Sequence, residues 1–243
     1  MGKAIAVTSG KGGTGKSTVA VGLALGYAAA KKRVLLIDMD EGLRCLDLML
    51  GIDAQLIFDL SDALSGRDWL DAVYTVPENQ SLQLIPAPDR LGSIEHDAFG
   101  GFMREILPKY DIVLLDFPAG IDFRLYSALP KDTQFIAVCN PDPVSVRDAA
   151  VVCSHLPENA VEPVFILNKF VREIMRKGIY QNIDGIIDAS GFRLLGIVPF
   201  DEELSLLSVR HKLSKRSRAF KAFSRITRRL ENENVPLPKP KKI

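Results

Sequence analysis

Short, almost wholly apolar runs recur along the chain at residues 4–7, 33–38, 82–85, 110–116, 134–139, 162–168 and 194–198. They lack the polar alternation of a half-exposed strand, so they predict strands buried on both faces, the habit of a parallel sheet. Between them apolar residues return at helical spacing, predicting helices over 19–30, 57–64, 68–73 and 94–107, and a further helix from Pro143 onward. Gly100-Gly101 weakens the fourth of these by about 1 kcal/mol per glycine. Strand and helix alternating along one chain predict an α/β fold: a doubly wound, mostly parallel sheet flanked by helices.

Between the first strand and first helix lies Gly10-Lys11-Gly12-Gly13-Thr14-Gly15-Lys16-Ser17-Thr18. It completes the pattern G-x-x-x-x-G-K-[ST], a P-loop. Its glycines let successive N–H groups surround a polyphosphate, and the following helix presents its positive end to the same anion. Lys16 suits the β- and γ-phosphates, Ser17 the coordination of Mg²⁺, and Thr18 one further phosphate contact. Gly10, Gly12 and Gly15 also spell G-x-G-x-x-G, with Asp38 ending the second strand, so a dinucleotide-binding turn competes. Lys16, Ser17 and Thr18 have no role there, and the nucleoside triphosphatase reading prevails. Lys11 is one cation more than phosphate cradling needs, and it projects from the outer side of the loop.

Acids end two of the strands. Asp38 closes residues 33–38 and Asp40 follows two positions on, so alternation turns both towards one cavity at the C-terminal edge of the sheet. One suits the water shell of Mg²⁺, the other the attacking water; a helix cap is the alternative for Asp40. Residues 110–116 end in Asp116, the Walker B position, whose carboxylate holds magnesium through water. Gly120 just beyond lets a loop approach the γ-phosphate. Asn168 ends another strand with both a donor and an acceptor, which suits the edge of adenine. Pro199 lies in a second purine-side loop, 198–201.

K-G-G-T-G-K-S-T resembles the deviant Walker A motif of the MinD/ParA family of ATPases. D-M-D-E-G-L-R-C-L-D at 38–47, F-P-A-G-I-D at 117–122 and N-P-D-P-V-S-V-R-D-A at 140–149 are similar to segments of its MinD-like members. Cys45 stands where an Asn is usual, and Phe117 replaces a hydroxyl residue. The resemblance implies slow, Mg²⁺-dependent ATP hydrolysis coupled to an ATP-dependent homodimer, with Lys11 reaching the partner's phosphates. It also implies that Asp40 polarises the hydrolytic water, that Asp38 lies near the metal with Ser17 and Asp116, and that Asn168 contacts adenine. Val171 stands where a guanine-reading N-K-x-D motif has its acid, which favours ATP over GTP. Protein regulators of the Min type are implied as partners.

The chain has 243 residues, 47% of them apolar, enough for one domain with a large core, expected over 1–230. Its net charge of +1 shows no overall bias towards nucleic acid or membrane. Cys45, Cys139 and Cys153 are widely spaced and odd in number, suggesting neither disulfides nor zinc and matching a reducing cytosol. The first strand begins too early for a signal peptide, and no apolar run reaches the roughly 18 residues needed to span a bilayer. A soluble, cytoplasmic protein is expected, with peripheral contact at the inner face of the plasma membrane as one option. That option comes from residues 204–230, which carry Arg210, Lys212, Lys215, Arg216, Arg218, Lys221, Arg225, Arg228 and Arg229 and no acid. Apolar residues at helical spacing over 219–230 make this an amphipathic helix, readable as core closure, as membrane contact or as nonspecific DNA contact. Pro236, Pro238 and Pro240 make 231–243 an extended basic tail.

Overall fold

The computed structural model describes residues 2–77, 79–157, 160–177, 180 and 182–238. Among them the seven apolar runs become strands and a further edge strand, β3, joins them: β1 (Lys3–Thr8), β2 (Val34–Asp38), β3 (Tyr74–Val76), β4 (Asn79–Ile85), β5 (Ile112–Asp116), β6 (Gln134–Cys139), β7 (Val164–Phe170) and β8 (Arg193–Pro199). They form one sheet in the order β3-β4-β2-β5-β1-β6-β7-β8, parallel except at the antiparallel edge strand β3. The helices are α1 (Lys16–Ala29), α2 (Leu46–Leu50), α3 (Leu60–Leu64), α4 (His96–Ile106), α5 (Phe123–Ala128) and α6 (Pro143–Ser154). They continue with α7 (Arg172–Lys177), α8 (Ile183–Ser190), α9 (Glu202–Ser205), α10 (Leu207–Arg210) and α11 (Arg218–Leu230).

Alternation along each buried strand sorts the core into two layers. Ile5, Val7, Leu36 and Leu114 pack with α1 and α11 on one face. Ala6, Ile37, Leu115 and Phe135 pack with α3, α4 and α5, and Ala137, Phe165 and Leu167 with α6 and α8, on the other. This two-sided burial explains the unbroken apolar runs.

The C-terminal helix closes the first layer. A Cβ on Gly22 of α1 would lie 2.2 Å from the ring of Phe223, and one on Gly196 of β8 would lie 2.4 Å from Ile226. Both glycines are therefore where α11 beds down. Two of its expected surface cations have partners in the chain: the half-buried Arg229 donates to the Leu195 carbonyl, and the exposed Arg228 pairs with Glu233 at 2.7 Å on the surface. Among the described residues, exposed cations without an acidic partner gather in and before its first turn, among them Lys212, Lys215, Arg216, Arg218 and Lys221, with Arg210 at the end of α10.

Local chemistry moves several boundaries. The helix expected at 57–64 starts at Leu60, because Asp59 and Asp62 form a reciprocal cap there. The stretch 68–73 is a 3₁₀ turn (Trp69–Ala72) leading into β3, an edge strand with no apolar run of its own. Tyr74 anchors it by accepting the N–H groups of Ile57 and Phe58 at 2.8 and 2.9 Å. Residues 204–217 are not continuous helix: His211 adopts φ 54° and ends α10. The tail expected to be extended carries no regular helix or strand from Glu231 to Pro238, and its last five positions, 239–243, lie outside the described residues. Within it Leu237 packs against the layer that holds Ala137, Phe165 and Leu167.

Candidate nucleotide site

Strand β1 lies between β5 and β6, and the chain leaves it towards β2 on one side and later enters β6 on the other. The loop after Thr8 therefore opens at a topological switch point on the C-terminal edge, where open α/β sheets bind ligands. Gly15 turns this loop into α1 with φ 87°, and a Cβ there would sit 2.3 Å from the Asn168 amide nitrogen. Only glycine satisfies both the left-handed backbone and that approach.

The end of β7 holds the loop from the other side. Asn168 donates to the Thr14 carbonyl at 2.8 Å and Lys169 to the Gly13 carbonyl at 2.7 Å. Gly10 is half-buried, whereas Lys11, Gly12 and Gly13 are exposed, with the Ser9 hydroxyl donating to the Lys11 carbonyl at 3.1 Å.

Beneath the loop, Lys16 is 7% exposed and donates to Asp116 Oδ1 at 2.9 Å. Asp40 Oδ2 lies 3.9 Å from the same ammonium and the Ser17 hydroxyl 3.4 Å from it. The structure thus brings Lys16, Ser17, Asp40 and Asp116 together. Asp40 caps no helix; α2 starts later, after Cys45.

Asp38 is placed differently from Asp116, although both are buried. Its Oδ1 accepts from Asp40 N at 3.0 Å and its Oδ2 from Cys45 N and Leu46 N at 3.3 Å. It therefore shapes the 40–46 loop with both oxygens. Burial, reinforced by the Asp116 charge, pushes its carboxyl up to about 7, against the pull of those N–H bonds. Burial also raises Asp116, opposed by Lys16. Asp116 Oδ2 and the Thr14 hydroxyl are buried without a hydrogen-bond partner. Such orphaned oxygens need a ligand, and beside Ser17 they fit a hydrated magnesium ion and phosphate.

On the β7–β8 side a cleft of about 360 Å³ runs from Gly13, Gly15 and Thr18 past Asn168 to Pro199 and Phe200. Lys169, Leu204 and Ser208 in the same cleft have no signature in the sequence beyond following the Asn168 and Pro199 strand ends, and Met49, brought in from α2, has none. Cys45, half-buried, also adjoins the site through its N–H bond to Asp38, and burial pushes its thiol up to about 11. Asp201, which lines the Gly13–Pro199 cleft, ties it to the last helix: it caps α9 and accepts from Ala219 N at 3.0 Å.

A second tie links the loop to the Gly120 turn. Gly120 N donates to the Ser9 carbonyl at 2.8 Å, and the buried Tyr126 hydroxyl bridges Thr8 Oγ1 at 2.7 Å and the Gly120 carbonyl at 3.3 Å.

The CobQ/CobB/MinD/ParA nucleotide binding domain matches residues 5–214. The chain is 33% identical to the septum site-determining protein MinD of Bacillus subtilis, over 98% of this chain and 92% of that one. Its fold superposes on MinD of the Aquifex aeolicus MinC:MinD cell division complex with a TM-score of 0.86 and 30% identity, covering 98% and 99% of the two chains. MinD of Pyrococcus horikoshii, solved with Mg-ADP, gives a TM-score of 0.83 at 26% identity, covering 95% and 96%.

Proposed function

The chain belongs to the CobQ/CobB/MinD/ParA family of nucleotide-binding proteins, and on that footing we propose that it is a MinD-like ATPase of division-site placement, switched between monomer and homodimer by its nucleotide. The carrying observation is Lys16, held between Asp116 and Asp40 beneath a glycine-rich loop at the switch point of the sheet. The loop's N–H groups and Lys16 bind the β- and γ-phosphates. Ser17 and the free Oδ2 of Asp116 hold Mg²⁺, with Asp38 fixing the loop beside it. Bound there, Mg²⁺ supplies charge neutralisation at the phosphates. Asp40, the most exposed of the three carboxylates at 25%, orients the attacking water. Asn168 and Pro199 face adenine, and the exposed Lys11 is free to reach a second copy's nucleotide.

Magnesium-dependent turnover of ATP, with GTP as the control, tests the chemistry. Turnover that Asp40→Ala abolishes while ATP still binds supports it. Turnover unaffected by that change, or equal with GTP and without magnesium, overturns it.

Contact of the exposed cations at Lys212, Lys215, Arg216, Arg218 and Lys221 with anionic phosphates is a second reading, favoured by the absence of any acid between 204 and 230. DNA or anionic-lipid binding that weakens steeply with salt, and is lost when these five are neutralised, supports it. Binding independent of salt removes it.

A further inference from the structure

Thr8 ends β1 and Tyr126 lies in α5, 118 residues further along the chain, yet their hydroxyls meet at 2.7 Å. Both side chains are buried, Thr8 completely and Tyr126 with 2% exposed. Phe117 and Phe135 brace the Tyr126 ring edge-on, with ring centroids 5.0 and 5.4 Å away, and so fix where its hydroxyl points. Burial pushes that hydroxyl up to about 12, which keeps it a protonated donor at neutral pH. It donates to the Gly120 carbonyl at 3.3 Å, leaving the Thr8 hydroxyl to donate to it in turn.

Gly120 is fastened on its other side as well. Its N–H donates to the Ser9 carbonyl at 2.8 Å, so both of its polar backbone groups are tied to the end of β1. While they are, that N–H points at a carbonyl and cannot serve a phosphate. The turn nevertheless has room to change. Gly120 has φ 108°, a region that glycine alone adopts freely, and a Cβ there would meet nothing within 4 Å.

The turn also stands close to the chemistry. It follows directly on Asp116, whose partner Lys16 is the ammonium assigned to the β- and γ-phosphates. Loops in this position commonly rearrange when a γ-phosphate arrives.

We propose that Tyr126 is a positioning residue that sets the preference of the site for triphosphate over diphosphate. It holds the Gly120 turn in the form that donates to Ser9. Turning the Gly120 N–H to a γ-phosphate rotates that peptide and breaks the Tyr126 bond, a cost that a diphosphate never meets. The clasp therefore opposes the triphosphate form and leaves diphosphate binding alone. This role rests on the ATPase reading above.

Titration calorimetry with Mg²⁺ compares the native full chain, Tyr126→Phe and the double variant Tyr126→Phe with Thr8→Val, each with ADP and with a nonhydrolysable ATP analogue. Tyr126→Phe keeps the ring and removes only the hydroxyl. It should raise the ratio of analogue affinity to ADP affinity about threefold to tenfold, the worth of one net hydrogen bond, with ADP affinity itself unchanged. It also leaves the buried Thr8 hydroxyl without its acceptor, so the variant should melt lower than the native chain. Adding Thr8→Val removes that orphan, and the melting temperature should partly recover while the ratio stays raised. That split separates a role in discrimination from one in stability alone. A ratio unchanged or lowered in Tyr126→Phe overturns the proposal, as does a ratio that returns to the native value together with the melting temperature. A native chain that binds neither nucleotide removes the ATPase reading, and this role falls with it.

Discussion

Replacing Lys16 by methionine removes an ammonium and keeps its aliphatic stem. Asp116, with no exposed surface, then loses the cation 2.9 Å from its Oδ1 and keeps only the nearby acids Asp38 and Asp40. Breaking one side of a buried ion pair costs about 3–5 kcal/mol, a large share of the roughly 5–15 kcal/mol that holds a domain together. At roughly 2–4 °C per kcal/mol for a chain of this size, the nucleotide-free variant should melt about 6–20 °C below the native protein. Calorimetry with a chelator present, which removes any contribution from bound magnesium, measures it. The loss also has a pH signature. Burial already raises Asp116, and without Lys16 it rises further. A carboxyl with a raised folded pKa binds more protons folded than unfolded, so its destabilisation grows as pH rises from the unfolded value towards the folded one. The gap between variant and native protein should therefore be small near about pH 5 and wide near about pH 8. Lys16→Met with Asp116→Asn should recover most of the loss, because no uncompensated charge remains. Unchanged melting at the higher pH, or a double variant that loses the sum of the two single effects, refutes the buried pair as described.

Gly22→Ala should destabilise the chain by about 1–3 kcal/mol through overpacking against Phe223, with Phe223→Leu in the same chain relieving part of it, as read from urea midpoints. The Asp38 carboxyl, pushed up to about 7, should lower the stability of the nucleotide-free protein as pH rises from about 4 to about 7; a carboxyl-carbon NMR titration that places it near the ordinary carboxylate value contradicts this. Asn168→Ala should weaken ATP binding about tenfold, since it removes both the adenine contact and the tie to the Thr14 carbonyl; calorimetric titration showing equal affinity would count against the purine cleft.

Where the chain is buried on two faces, pattern and structure coincide: β1, α1, β2, β5 and β6 fall within a few residues of their apolar runs. The loop from Gly10 to Thr18 and the acids at 38, 40 and 116 are legible because strand ends and glycine spacing fix where a side chain can go. Elements made by tertiary contact are not. Edge strand β3 exists because Tyr74 pairs with Leu84 and its hydroxyl collects two N–H groups, neither of which a local pattern records. Helices α5 and α8 are short and held by the side-chain caps of Asp122 and Asn182, signals too brief to separate from loop polarity. The different tasks of Asp38 and Asp116 are equally hidden, since both end buried strands and only the turn at 40–46 decides which oxygens stay free. Likewise the arginines of α11 read as one cationic face, yet Arg229 turns inward to the Leu195 carbonyl and Arg228 is paired with Glu233 at the surface.

Light scattering coupled to size exclusion, on the native chain and on Lys11→Ala, with Mg²⁺ and either ADP or a nonhydrolysable ATP analogue, reaches the switch itself. The native chain should elute as a single copy with ADP and double its mass with the analogue, while Lys11→Ala still binds the analogue but keeps the single-copy mass. A native chain that stays at one copy with saturating analogue, or a Lys11→Ala protein that pairs as readily as the native one, would contradict the nucleotide-driven dimer.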